Sequence, residues 1–113
     1  MKFATHAQFD KEFKKLAKKF RTLPEDFERI KKIIKTFPTG EDSRHATILR
    51  RYGEIFVLKR RMLSRSTRRS DFRIIYMYDG RNIEILFIEI YFKGTQVKET
   101  DQRINKIFNE NVM

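Results

Sequence analysis

The stretch RIIYMYDGRNIEILFIEIYFKG, residues 73–94, decides how the rest of the chain must be arranged. It reads as two strands of alternating pattern around Asp79 and Gly80, a pair favoured in tight hairpin turns. Its apolar content suits any small core, yet Arg73 opens it, Glu89 interrupts it and Lys93 closes it. Alternation gives a strand two faces. Leu86, Ile88, Ile90 and Phe92 fall on one face of the second strand; Phe87, Glu89, Tyr91 and Lys93 fall on the other. The purely apolar face is expected beneath helices, and the face with Glu89, Tyr91 and Lys93 is expected to stay open. Antiparallel pairing brings the start of the first strand beside the end of the second, so Arg73 should approach residues 91–93.

Upstream, HATILRRY (45–52) and EIFVLKRRM (54–62) form a second predicted hairpin, turning near Tyr52 and Gly53. Val57, Lys59 and Arg61 share one face of its second strand; Leu58, Arg60 and Met62 share the other. Lys59 and Arg61 join Arg73 if this strand lies beside the 73–78 strand. Between the hairpins, MLSRSTRRS (62–70) is polar, basic and turn-prone, either a loop or ragged strand ends.

The N-terminal third changes period. Phe9, Phe13, Leu16 and Phe20 recur at helical spacing with lysines between them. Phe27, Ile30, Ile34 and Phe37 mark a second helix, with Thr22 as candidate N-cap, Pro24, Glu25 and Asp26 in its first turn, and Pro38 and Gly40 at its end. The short link at Arg21 makes these an antiparallel helical hairpin. Phe3 and Ala4 suit a short strand before it, and Ile104, Ile107 and Phe108 a closing helix. The expected architecture is a single α+β domain spanning residues 1–113. In it, an N-terminal helical hairpin packs on one face of a mostly antiparallel sheet of four to five strands, with a C-terminal helix.

With 113 residues and no Cys, the chain is large enough to fold on its own core, and thiolate chemistry, disulfides and cysteine-based zinc sites are excluded. The lack of Cys fits a reducing, cytoplasmic location. No apolar run approaches a membrane span, and MKFATHAQFDKEF lacks the apolar centre of a secretory signal. His6 and His45 stand alone in sequence, so no metal or other cofactor is expected. Lys and Arg number 26 against 15 Asp and Glu, a formal net charge of +11. Self-repulsion on this scale points to an anionic partner, an RNA or DNA backbone or an acidic protein. The basic charge concentrates in residues 49–73, where Glu54 and Asp71 are the acids.

An open sheet face bearing Lys59, Arg61, Arg73, Glu89, Tyr91 and Lys93 can grip RNA phosphates and stabilise a pentacoordinate phosphate. Attack by a ribose 2′-OH needs a base, a charge stabiliser and a leaving-group acid. Lys59, crowded by cations, and Glu89 are the candidate bases; Tyr91 can stack on a base or donate a hydrogen bond. Glu89 equally suits a cross-strand ion pair with Arg73 or Lys93. Arg50, Arg51, Arg60, Arg65, Arg68 and Arg69 are candidate RNA contacts.

In order along the chain, FDKEFKKLAKKF, LKRRM, FRIIYMY, FIEIYFKG and DQRINKIF resemble the RelE/ParE superfamily of type II toxins, and its RelE-like branch most. The resemblance implies a growth-inhibiting toxin held by an acidic antitoxin and, in the RelE branch, metal-independent cleavage of mRNA on the ribosome. It places Lys59 and Arg61 at the basic strand positions, Arg73 at the start of the central strand and Lys93 after the last strand. RelE carries a Tyr beyond that strand; here the segment GTQVKETDQRI has none. Two other functions fit the same resemblance, a ParE-like gyrase inhibitor without nuclease activity and an RNA-binding relic that does not cut.

Overall fold

The computed structural model describes residues 1–112. In chain order the elements are β1 (Lys2–Thr5), α1 (Ala7–Lys19), α2 (Leu23–Thr36), β2 (Ala46–Tyr52), β3 (Ile55–Ser64), β4 (Arg69–Asp79), β5 (Glu84–Phe92) and α3 (Asp101–Val112). The sheet order is β1-β5-β4-β3-β2, antiparallel except that β1 runs parallel to β5. The α+β architecture, the helical hairpin and the closing helix are as expected from sequence. The basic stretch after Met62 proves to be strand ends around a tight turn.

The helical hairpin seals one face of the sheet with aromatic rings. Phe9, Phe20, Leu23, Phe27, Ile30 and Ile34 pack onto Leu58, Met62, Phe72, Ile74, Tyr76, Phe87 and Ile90. Phe20 meets Phe72 edge-on at 5.0 Å between ring centres, a favourable aromatic geometry. Thr22 sits at the N-cap of α2 without a capping bond; its hydroxyl instead donates to Asp26 and pairs with Ser66. The β3–β4 turn is thereby fastened to the link between the helices.

Two expectations are corrected. The face with Glu89 and Tyr91 does not stay open along its length: Ile104 and Ile107 of α3 cover Ile55, Val57, Ile75, Met77 and Ile88 on the side opposite the helical hairpin. And Leu86 and Ile88 do not align with Ile90 and Phe92. Ile75 faces Glu89 while Tyr76 faces Phe87, so Ile88 is the extra residue of a β-bulge. The bulge reverses alternation before it, sending Phe87 to the helical hairpin and Ile88 to α3. Its backbone groups find partners beyond the ladder: Ile88 O accepts from Arg103 at 2.9 Å and Ile90 N donates to Glu12 at 3.3 Å. Arg103 and Glu12 are themselves paired at 2.7 Å.

The β4–β5 turn is also longer than the Asp79 and Gly80 signal implies. It runs over residues 80–83, and the positive φ falls on Ile83 (55°) rather than on Gly80. Asp79 holds it by accepting from the Arg81 backbone N at 2.9 Å and from the Asn82 amide at 3.0 Å.

Candidate functional site, a cationic cleft

Strand register lays out the cleft in rows. Arg61 of β3 stands opposite Arg73 of β4, and Arg73 opposite Tyr91 of β5. His45, one residue before β2, extends the row: its carbonyl accepts from Arg61 N at 3.0 Å. The next row on the same face runs Thr47, Lys59, Ile75 and Glu89. Lys93 continues past Tyr91, its backbone N donating to Asp71 O at 2.7 Å. His45, Thr47, Lys59, Arg61, Arg73, Tyr91 and Lys93 bound an open cleft of about 290 Å3, lined also by Arg44 and Val97. No carboxylate is among the described residues that line it.

The electrostatics follow from that layout. Arg73 is buried, and its guanidinium donates to Ser70 O at 2.7 Å and Phe72 O at 3.0 Å, so the side chain is held fast. Burial and the neighbouring Arg61 charge push its pKa below the ordinary arginine value. Like charges directly opposite on neighbouring strands destabilise a sheet. Burial, then the Glu99 carboxylate, push the Tyr91 hydroxyl up to about 12, with Arg73 pulling the other way. It stays protonated at neutral pH and is able to donate a hydrogen bond. Lys59 Nζ meets Glu99 Oε1 at 2.9 Å. Burial pushes the Glu99 carboxyl up, but the Lys59 hydrogen bond and charge outweigh it and hold the carboxyl below its ordinary value. Lys59 is therefore paired with an ionised carboxylate, which fits an electrostatic role better than that of a base.

Of the residues expected at the site, the cleft unites Lys59, Arg61, Arg73, Tyr91 and Lys93. Glu89 is a correction. It is fully buried, and its oxygens accept from Thr100 N at 2.8 Å, the Thr100 hydroxyl at 2.9 Å and the Gln96 amide at 2.9 Å. It neither pairs with Arg73 or Lys93 nor presents an oxygen to the cleft. Arg60 is the second correction. Alternation turns it under the helical hairpin, where it is 3% exposed and grips Asp42 and the Phe37 carbonyl. Arg50 is drawn to α3, bonding Asn105 at 3.1 Å and lying 3.7 Å from Asp101. Arg51 lies over the Phe56 ring at 4.7 Å. Arg65, Arg68 and Arg69 are exposed around the β3–β4 turn and do not line the cleft. The sequence reading missed Arg44, His45, Thr47 and Glu99.

No family model matches the sequence, and no curated protein matches it. A solved structure does match. The chain is similar to one chain of the crystal structure of the archaeal RelE–RelB complex from Pyrococcus horikoshii OT3, with a TM-score of 0.61 over 84% of this chain and 97% of that chain, at 18% identity. The fold is RelE-like. The segment after the last strand, which has no Tyr, contributes a carboxylate, Glu99, to the cleft margin through Lys59.

Proposed function

We propose that the chain is the toxin of a type II toxin–antitoxin pair and that the cleft cleaves ribosome-bound mRNA without a metal. The observation that carries this reading is the row of Arg61 and Arg73, placed directly opposite each other in a cleft with no carboxylate among its described lining residues. Such an arrangement costs the free protein stability and favours a bound polyanion. The likeness of the fold to a chain of a RelE–RelB complex supports the same reading.

The residues divide the chemistry among them. Arg61, Arg73, Lys93 and Arg44 hold the phosphate flanking the scissile bond and neutralise charge as it becomes pentacoordinate. The ribose 2′-oxygen bonds to phosphorus and the 5′-oxygen leaves, giving a 2′,3′-cyclic phosphate. His45 is the group suited to moving the protons, since an imidazole both accepts and donates. Tyr91, kept protonated, donates a hydrogen bond. A site so lean is workable when the ribosome orients the substrate. An acidic, partly disordered antitoxin segment is the expected protein partner of a chain with net charge +11.

The test is mRNA integrity on ribosomes after induction, for wild type and Arg73→Ala. Cleavage and growth arrest by wild type, both lost in Arg73→Ala, is the expected result. Intact ribosome-bound mRNA in arrested wild-type cells overturns the nuclease reading. DNA damage that depends on gyrase, with mRNA untouched, would replace it with gyrase inhibition.

A further inference from the structure

Glu99 sits in the segment between β5 and α3, which has no regular structure and whose Val97 is 91% exposed. Such a segment ordinarily wanders. Here the buried Glu89 ties it down through Thr100 N, the Thr100 hydroxyl and Gln96, whose amide also bonds Lys98 O at 2.9 Å. The anchored residues bracket Glu99, so the carboxylate is delivered to Lys59 by a fixed backbone. Burying Glu89 carries a desolvation cost that its three donors offset. Lys59 has a flexible stem and is faced by Thr47 from β2, Arg61 on its own strand, Arg73 from β4, Glu99 from the segment and Asp101 from α3. Without Glu99, repulsion from Arg61 and Arg73 favours rotamers that take the ammonium away from the cleft.

We infer that Glu99 is a positioning residue that aims the Lys59 ammonium at a phosphate bound in the cleft, and that Glu89 is the buried anchor of the segment that carries it. This rests on the reading of the cleft as a phosphate-binding site. The competing role is a plain neutraliser that lowers anion affinity, and the two roles predict opposite signs. Removing a neutraliser tightens RNA binding, whereas removing a positioner weakens it although the chain gains positive charge.

The test compares the full chain with its Glu99→Met variant, which keeps side-chain length and removes both acceptor and charge. One readout is the Lys59 ammonium 1H–15N correlation in lysine-labelled protein, visible when a hydrogen bond slows exchange. The other is the affinity for a fluorescent oligouridylate at fixed salt. Expected are loss of the Lys59 correlation and an affinity about three-fold or more weaker. A persisting correlation, or tighter RNA binding, overturns the inference. Thr100→Val removes one bond to Glu89 without changing charge, and should move both readouts the same way by less; no movement there overturns the role given to Glu89. If wild type binds no RNA, the reading of the cleft as a phosphate-binding site on its own fails, while the Lys59 correlation still decides whether Glu99 positions Lys59.

Discussion

On the face under α1 and α2, Arg60 is 3% exposed and doubly bonded to Asp42; one residue further along β3, on the other face, Arg61 is exposed and stands opposite Arg73. The two arginines share a strand and a backbone geometry. What separates them is the company each face supplies. The hairpin face answers a buried cation with a carboxylate, as a folded core must. The cleft face sets Arg61 against Arg73 with no carboxylate among the described lining residues. For these two arginines the difference is whether the fold supplies a carboxylate: Asp42 answers Arg60, and none among the described lining residues answers Arg61.

That comparison can be broken in order of size. Asp42→Ala leaves Arg60 buried and unanswered and should cost about 3 kcal/mol in denaturant unfolding. Glu89→Ala strands the Thr100 and Gln96 donors at about 2–3 kcal/mol, measured the same way. Arg61→Ala should have the opposite sign, stabilising the free protein by about 0.5–1 kcal/mol while weakening RNA binding. Destabilisation by Arg61→Ala would mean the cleft arginines are structural after all.

The smallest effect is in acid. The Arg81 hydrogen bond, against burial, holds the Asp79 carboxyl down at about 2, from an ordinary 3.8. A carboxyl depressed on folding stabilises above its unfolded value, and that contribution is lost as pH falls from about 4 to about 2. With solvent screening it amounts to on the order of 1 kcal/mol. In Asp79→Asn, the pH dependence of the melting temperature over that window should flatten.

Periodicity carried most of the fold, because amphipathic helices and alternating strands write their faces into the sequence. The hairpin over 73–94 brought Arg73, Tyr91 and Lys93 together on paper and in space. Single inserted residues defeated the rest. Alternation across residues 86–92 fails at Ile88, where the bulge resets it. His45 was missed for a related reason. Counting back from the pair of Tyr52 with Ile55 puts His45 opposite Met62, but the bulge at Leu49 takes up one residue and puts it opposite Arg61. Glu99 had no periodic signal at all, since it comes from an irregular segment 40 residues away from Lys59 in the chain. Glu89 lay on the face expected from alternation with Tyr91, yet nothing in its own strand showed that residues 96 and 100 would fold over it.

The measurement closest to the central claim is the salt dependence of oligoribonucleotide binding by fluorescence anisotropy, for wild type and Arg73→Ala. If Arg61 and Arg73 hold an RNA backbone in the cleft, wild-type affinity falls steeply with salt. Arg73→Ala should then bind about ten-fold more weakly at low salt, with a slope shallower by about 0.7. Equal affinity and equal slope for the two proteins would contradict it.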